Sequence, residues 1–331
     1  MIFNSVAIEV TRRCNMACAH CLRGEPQNMD IAPEAIDHFA MNATGINFIE
    51  FTGGEPTLNV PAILHTLTAC KQYKIPVRQI RITTNGLLHS VELADVLKLW
   101  AEYIRPEWRY EGLLPVVLDI SKDRYHVGVD PSEAERFYWY ALYDNNLHGP
   151  CATIGYSTAG EHPSAWGRGK DLPEALRLMK PLSEMPHSIA LWEYGKPCEC
   201  PEPQDVNAPT DGETVVCCTL FLQANGDVVR AHQLISYDNT DEVVINLNTK
   251  GDMLSAIRQY NERIPRPCRE TIPKEQVSAI FRMLLNPQKY AGEFAKVATP
   301  EAKAELRGIF REYKENMRLL AEATENMKKG G

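Results

Sequence analysis

Three cysteines lie close together near the N-terminus, at Cys14, Cys18 and Cys21, with the spacing C-x3-C-x2-C. They follow a short β-like stretch, Ser5–Val10, so their thiols are expected on one loop at a strand end. Three thiolates on one loop can hold three irons of a 4Fe–4S cubane and leave the fourth iron open to a substrate or cofactor. Zinc is the alternative. It prefers four ligands, often as two C-x2-C pairs, whereas this loop has one C-x2-C step and His20 as the other nearby donor.

A second group of residues that could do chemistry is the run Phe51-Thr52-Gly53-Gly54-Glu55-Pro56, between a predicted strand and a predicted helix. The two glycines would let a bound molecule approach the backbone closely, and Glu55 can accept hydrogen bonds from an ammonium group. Taken alone, this run is better explained as a plain Gly-Gly turn before a helix N-terminus.

Taken together, the two motifs resemble those of the radical S-adenosylmethionine (SAM) superfamily. The resemblance covers about residues 5–190, with its motifs in the family's order. It continues in three further stretches at strand ends: Thr83–Gly86, the S-x-D-x-x-H run from Ser121 to His126, and Trp166–Gly169, which is similar to the family's G-R-A turn.

The resemblance implies roles for particular residues. Cys14, Cys18 and Cys21 would ligate a 4Fe–4S cluster whose open iron chelates the amino and carboxylate groups of SAM. The SAM-binding residues would be Gly53, Gly54 and Glu55 at the amino group, and Asn85, Ser121 and Arg168 near the ribose or carboxylate. An electron from the cluster would cleave SAM, and the resulting 5′-deoxyadenosyl radical would take a hydrogen atom from the substrate.

Several of these residues also have simpler interpretations. Asn85 beside Gly86 is typical of a strand-ending turn, Ser121 could satisfy backbone groups, and Arg168 could be a surface charge. His20 is expected to pack beside the cluster. Asp123 and His126 remain open between a substrate role and a capping role.

The predicted fold class is α/β: a partial (β/α)6 TIM-like barrel with an appended small β unit and C-terminal helices. The Asn225-Gly226 dipeptide predicts a hairpin between two β-like runs. We expect three parts: a barrel over 1–190, a β extension over 191–270, and a helical segment over 271–331. The predicted barrel strands are Ser5–Val10, Ile46–Phe51, Val77–Thr83, Leu114–Ile120 and Cys151–Tyr156; those of the β unit are Thr214–Gln223, Asp227–His232 and Val243–Leu247; and the helices include Pro33–Met41, Val60–Tyr73, Val91–Tyr103, Glu133–Leu147 and Ala302–Asn326.

Five cysteines lie beyond the barrel: Cys198, Cys200, Cys217, Cys218 and Cys268. Their region resembles the twitch or SPASM extensions of radical SAM proteins, which bind auxiliary clusters. That pattern expects a cysteine where this chain has Ala231, followed by His232. Three interpretations stay open: a second 4Fe–4S cluster, a structural zinc site, and buried thiols that act as small apolar side chains.

The composition of the chain indicates its cellular location and the partners it is expected to have. The chain has 331 residues, a formal net charge of -8 and 44% hydrophobic residues, and it shows neither a signal peptide nor an apolar run long enough to span a membrane. We therefore expect a cytoplasmic protein with reduced thiols. The acidic balance argues against a nucleic-acid partner.

The leading hypothesis is a radical SAM oxidoreductase or modifying enzyme that receives electrons from a reductant such as flavodoxin or ferredoxin. Its expected substrate is a peptide, as in the maturation of ribosomally made peptides; a small-molecule dehydrogenase or epimerase is the alternative. The first strand begins by Ser5, so a leader-binding domain would be absent or supplied by another protein. A non-enzymatic iron–sulfur or zinc protein is the competing class, and it gives no reason for the Gly53-Gly54-Glu55 turn.

Overall fold

The computed structural model describes residues 1–104, 114–145, 147–157, 167–173, 188–196, 209–230 and 243–264. The strands are β1 (Ile2–Thr11), β2 (Gly45–Gly53), β3 (Val77–Thr84), β4 (Val116–Ser121), β5 (Tyr143–Asp144), β6 (Gly149–Pro150), β7 (Thr153–Ser157), β8 (Leu191–Glu193), β9 (Thr214–Leu222), β10 (Asp227–Arg230) and β11 (Val243–Asn246). The helices are α1 (Pro33–Ala40), α2 (Val60–Gln72), α3 (Val91–Tyr103), α4 (Pro131–Ala141) and α5 (Met253–Arg263), with short 3-10 turns at Pro56–Asn59 and Gly167–Asp171.

One large mixed sheet organises these elements, in the order β11-β10-β9-β1-β2-β3-β4-β7, with β8 beside β9. The strands from β9 through β1 to β7 pair in parallel, whereas β8, β10 and β11 pair antiparallel at one side. Helices follow β2 and β3, and α4 leads from β4 towards β7. The predicted α/β class is confirmed, and the carboxyl ends of the parallel strands lie at one edge, where sites on such sheets are built.

The predicted hairpin is present as β9 and β10, joined through Ala224-Asn225-Gly226. It does not form a separate sheet, because β9 pairs in parallel with β1 and so extends the main sheet. The composition of β9 explains this position. Eight of its nine residues are buried, and a strand that is apolar on both faces needs cover on both sides, as in the interior of a parallel sheet. The predicted third strand corresponds to β11, which pairs with β10.

The helices cover the sheet with the expected apolar faces, with one exception. In α3, Leu93, Val96, Leu97 and Trp100 are all buried, as the periodicity predicts. In α2, Ile63 and Leu67 are buried but Leu64 is 39% exposed. The spacing of apolar residues in the sequence predicts Ile63, Leu64 and Leu67 on one face of this helix. That prediction is wrong for Leu64, because the buried face of α2 continues from Ile63 through Thr66, Leu67 and Cys70 at steps of three and four.

Three helices begin at a capping side chain. Ser90 accepts a hydrogen bond from Leu93 N at 3.0 Å, Asp130 from Ser132 N at 2.9 Å, and Asp252 from Leu254 N at 3.0 Å. Such caps satisfy amide groups that have no partner inside the helix. The predicted C-terminal helix at Ala302–Asn326, with the rest of the segment 271–331, lies outside the described residues. Among the helices that the structure describes, none has the length and apolarity to cross a bilayer.

Candidate active site

The three N-terminal cysteines lie on the loop between β1 and α1, at the carboxyl edge of the parallel sheet. Backbone hydrogen bonds close this loop at its base. Arg12 N donates to Met29 O at 2.8 Å, and Ile31 N donates to Val10 O at 3.1 Å. The loop therefore begins and ends beside the sheet, while its middle carries the thiols.

The three thiols influence one another electrostatically. Burial raises the pKa of Cys18 to about 11, and the neighbouring Cys14 and Cys21 add to that rise. Burial also raises the pKa of Cys14, with a further contribution from Cys21. None of the three forms a disulfide, and all are half-buried. Thiolates that disfavour one another are stabilised by a shared cationic centre, because a metal-coordinated thiol is held deprotonated. The donor set thus fits an iron–sulfur cluster.

Gly53 and Gly54 lie directly against the start of this cysteine loop. Gly54 N donates to Thr11 O and Glu55 N donates to Arg13 O, both at 2.8 Å. A Cβ atom on either glycine would come closer than 3.0 Å to backbone of Thr11 or Arg13. Only residues without a side chain allow the end of β2 to approach the cysteine loop this closely.

Glu55 is buried and joins the ends of β2 and β3. One carboxylate oxygen accepts from Thr57 N at 3.1 Å, from Thr57 Oγ1 at 2.7 Å and from Thr84 Oγ1 at 2.8 Å; the other accepts from Asn85 N at 2.7 Å. Burial raises the pKa of this carboxyl, and the hydrogen bonds from Asn85, Thr57 and Thr84 oppose the rise. Donors of the protein itself therefore already bind the Glu55 carboxylate, which the sequence predicted as an acceptor for an ammonium group.

Asn85 connects the end of β3 to the cysteine loop. Its side-chain amide donates to Asn15 Oδ1 at 2.7 Å, while its side-chain oxygen accepts from Leu87 N at 2.9 Å. Asn15 immediately follows Cys14. The hydrogen bond positions the loop relative to the sheet, a function that the turn motif in the sequence did not reveal.

Arg168 is the next residue to contact the loop. Its backbone N–H donates to Cys21 O at 2.9 Å, and its Nη1 lies 3.4 Å from Glu25 Oε2. Its Nε is buried and has no hydrogen-bond partner among the described residues. The preceding Gly167 has a φ of +52°, and a Cβ there would lie 2.5 Å from Cys21 O. This turn and the cysteine loop therefore fit together through backbone contacts, and one buried donor is left for a ligand.

Ser121 ends β4 at the same sheet edge, opposite Ser157 of β7 in the register. It is buried. Five of the six predicted SAM-binding residues thus contact the cysteine loop or one another: Gly53, Gly54, Glu55, Asn85 and Arg168. The sixth, Ser121, lies at the end of β4.

Among the later cysteines, Cys217 and Cys218 are both buried in β9. Neighbouring residues of a strand point to opposite faces of a sheet, and the Cys218 thiol accepts from Ala190 N at 3.3 Å. This arrangement favours the buried-thiol interpretation for these two residues. Cys198, Cys200 and Cys268, and the Ala231-His232 pair, lie outside the described residues, so a second cluster stays a prediction.

A cavity of about 410 Å³ adjoins the cysteine loop. One wall comes from the loop itself and the other from the segments that follow β3 and β4. The lining residues are Asn15, Met16, Ala17, Cys18, Ala19, Leu87, Arg124, Tyr125 and Val127. Most of these side chains are apolar, and Arg124 is the one cation among them.

The structure also brings together three residues that the sequence left ambiguous. His126 Nδ1 lies 2.9 Å from Asp123 Oδ1, and His20 Nε2 lies 3.9 Å from Asp123 Oδ2. His20 stacks on Tyr125 with ring centroids 4.6 Å apart. The Asp-x-x-His spacing after β4 was the only sequence signal, because His20 joins from a distant loop.

Comparison with known proteins gives a family match for residues 8–107, to the family described as the Radical SAM superfamily. The matched segment contains the cysteine loop, the Gly53-Gly54-Glu55 turn and Asn85. This family uses a 4Fe–4S cluster and SAM. The predicted resemblance is confirmed at the level of the superfamily.

Two curated relatives and one solved structure illustrate the similarity. The GTP 3',8-cyclase of Corynebacterium glutamicum (strain R) is 27% identical over 173 residues, 49% of this chain and 40% of that protein. The antilisterial bacteriocin subtilosin biosynthesis protein AlbA of Bacillus subtilis (strain 168) is 31% identical over 102 residues, 29% of this chain and 21% of that protein. Both matches therefore span less than half of the relative. The structure of native anSMEcpe with bound AdoMet and Cp18Cys peptide covers 80% of this chain and 82% of its own, at 11% identity and a TM-score of 0.43.

Proposed function

We propose that this protein, whose residues 8–107 match the Radical SAM superfamily, is a radical SAM enzyme that modifies a carbon centre of a peptide. The observation that carries the proposal is the packing around the cysteine loop. Three half-buried thiols lie on one loop, and the Gly53-Gly54 turn and the Gly167-Arg168 turn contact that loop through backbone groups.

In the proposed site, Cys14, Cys18 and Cys21 hold the cluster, and the backbone at Gly53 and Gly54 lines the amino group of SAM. When bound, the cluster and SAM supply a 5′-deoxyadenosyl radical that removes hydrogen from the substrate. Glu55 supports the site by fixing the ends of β2 and β3 through its four hydrogen bonds.

Three side chains complete the proposed SAM site. The guanidinium of Arg168, with its buried Nε, would bind the SAM carboxylate, since a buried donor without a partner is costly. Asn85 and Ser121, at the ends of β3 and β4, would bind the ribose. Asn85 already bonds to Asn15, so it would couple SAM binding to the order of the cysteine loop.

The cavity beside Cys18 supports a peptide substrate. Leu87 and Val127 line it and are 44% and 81% exposed, so they offer an apolar entrance. Arg124 is the one cation of its lining, whereas a nucleoside triphosphate would need several cations to balance its phosphates. The relative named for bacteriocin biosynthesis agrees with a peptide.

A small-molecule substrate is the second candidate. The longer of the two curated matches, over 173 residues, is to a protein named GTP 3',8-cyclase. For either substrate we propose a cytoplasmic setting, with electrons from a flavodoxin or ferredoxin.

The proposed function is tested by product analysis with the anaerobically reconstituted protein, dithionite and SAM. We expect 5′-deoxyadenosine from the wild type and from Cys151→Ala, a buried cysteine outside the loop. We expect none from the triple variant Cys14→Ala, Cys18→Ala, Cys21→Ala, together with loss of about four irons per chain. Failure of the wild type to form 5′-deoxyadenosine would overturn the enzyme proposal.

The substrate class is tested by isotope transfer. A perdeuterated candidate precursor peptide should raise the yield of 5′-deoxyadenosine and place deuterium in it, whereas deuterated GTP should do neither. Deuterium transfer from GTP alone would replace the peptide proposal with the nucleotide alternative.

A further inference from the structure

His20, Asp123 and His126 form a compact group at the cysteine loop, and none of them is a proposed ligand of the iron–sulfur cluster. One donor atom from each residue lies within 4.8 Å of one donor atom from the other two. All three side chains are largely buried, with 14%, 8% and 12% of their surface exposed in that order. The burial separates this group from the exposed acidic clusters that are common on protein surfaces.

We propose that His20, Asp123 and His126 bind a divalent first-row transition-metal ion, separate from the iron–sulfur cluster. Two imidazole nitrogens and one carboxylate group form a ligand set that suits zinc with an open coordination position, and the same set suits Fe²⁺. Neither ion needs a thiol in such a site, so the cysteines remain available for the cluster.

The distances require only small movements of the side chains. Ligand atoms about 2.0–2.2 Å from a tetrahedral zinc lie about 3.3–3.6 Å from one another. His126 Nδ1 and Asp123 Oδ1 are 2.9 Å apart, and His20 Nε2 and Asp123 Oδ2 are 3.9 Å apart. Each carboxylate oxygen already faces a different imidazole, so an ion can enter between the three side chains without a change of backbone.

A second observation concerns His20 itself. Its Nδ1 is buried and has no hydrogen-bond partner among the described residues. A histidine packed only for its shape would leave that nitrogen unsatisfied at a cost of about 1–3 kcal/mol. An ion bound at Nδ1 instead of Nε2 would remove that cost.

The three proposed ligands lie next to the cavity, so a molecule in the cavity could bind the ion. His20 follows Ala19, and Asp123 and His126 flank Arg124 and Tyr125; Ala19, Arg124 and Tyr125 all line the 410 Å³ cavity. An open coordination position next to this cavity would bind an oxygen atom of the molecule that enters it. The ion would act as a Lewis acid or an anchor for the substrate.

The inference is tested with Zn²⁺ as the probe on the reconstituted protein under anaerobic conditions. After removal of loosely held metal, we expect the wild type to retain one more zinc per chain than His126→Ala, with equal iron in both. His65→Ala is the matched control, because His65 of α2 pairs with Asp37 of α1 at 2.9 Å, between two helices and outside the proposed site. It should retain zinc as the wild type does. Zinc held by the distant cysteines would be the same in all three proteins and cancels in the difference.

Two further measurements keep the test decisive. His126→Asn can retain a hydrogen bond to Asp123 but lacks the imidazole; we expect its zinc affinity to fall by more than the roughly 10–100-fold that loss of an outer-shell partner costs. The wild-type-minus-variant difference spectrum with Co²⁺ should show visible d–d bands without thiolate-to-cobalt charge transfer. Equal zinc in the wild type and both His126 variants, or a charge-transfer band in the difference spectrum, would overturn the proposal. Either result leaves the formation of 5′-deoxyadenosine, and with it the proposed function, to be judged separately.

Discussion

Replacing Gly54 with alanine tests whether close backbone contact forms the cysteine loop. The new Cβ would come closer than 3.0 Å to Arg13 O and Arg13 C, which are backbone atoms and cannot rotate away. The chain would have to separate there, which strains two hydrogen bonds, from Gly54 N to Thr11 O and from Glu55 N to Arg13 O.

The expected cost follows from these contacts. Overpacking costs about 1–3 kcal/mol, and two weakened backbone hydrogen bonds add about 1–3 kcal/mol. Alanine recovers about 0.4–1 kcal/mol by restricting the unfolded chain, because Gly54 does not have a positive φ. We therefore expect Gly54→Ala to lower the free energy of unfolding by about 1–5 kcal/mol. We also expect it to lower iron retention, because Arg13 adjoins Cys14.

Urea unfolding of the reduced apoprotein and iron content after reconstitution provide the two measurements. Gly149→Ala is the control, because the nearest atom to its Cβ would be Leu147 O at 3.9 Å, an ordinary contact. It should stay within about 0.5 kcal/mol of the wild type and bind full iron. Equal stability and equal iron in Gly54→Ala would refute the close-contact argument.

Three further predictions concern the site and its support. Glu55→Gln should lower the free energy of unfolding by about 2–4 kcal/mol, because the new amide group would face Asn85 N–H and the other hydrogen bonds would have a neutral acceptor in place of a carboxylate. Urea unfolding measures this, with the exposed Glu102→Gln as the control. A difference between the two variants below about 0.5 kcal/mol would contradict the prediction. Gly167→Ala should lower iron content after reconstitution, because its Cβ would press on Cys21 O; full iron in the variant would show that the turn can move without disturbing the loop. Asp252→Ala should cost about 1 kcal/mol at neutral pH through loss of the α5 cap. The hydrogen bonds from Ser255 and Leu254 lower the pKa of Asp252 below its ordinary value of 3.8. The cap therefore stabilises the protein fully above about pH 3.8, and this stabilisation is lost as the pH falls through the lowered pKa. If the wild type and Asp252→Ala differed in stability by the same amount in acid, the carboxylate charge would have no role.

Local patterns in the sequence predicted most of the elements. Alternating apolar runs located β1 to β4, and the Asn225-Gly226 dipeptide located the β9–β10 hairpin. The pairing of β9 with β1 was not predictable in the same way, because a turn fixes only the strands that it joins. The helix predicted over Glu133–Leu147 ends at Ala141, where the short β5–β6 pair begins.

The candidate site was predicted unevenly for a similar reason. The cysteine spacing and the family resemblance identified the loop and its expected partners. The sequence did not predict that Glu55 accepts four hydrogen bonds, or that Asn85 bonds to Asn15, because both depend on how three strand ends meet. The group of His20, Asp123 and His126 was missed because one member lies about a hundred residues from the other two, and only folding brings them together.

The parallel pairing of β1 with β9 has a consequence for how the chain matures. Asn4 on β1 donates to Cys217 O on β9 across 213 positions of sequence. During synthesis, the strand that precedes the cysteine loop therefore keeps one edge unpaired until residues 214–222 have left the ribosome. Non-local pairing of this kind is intrinsically slow, and an exposed strand edge can recruit another chain. Although β1 is synthesised first, both of its edges are paired only after β9 has been made, so the sheet edge that supports the cysteine loop also forms late.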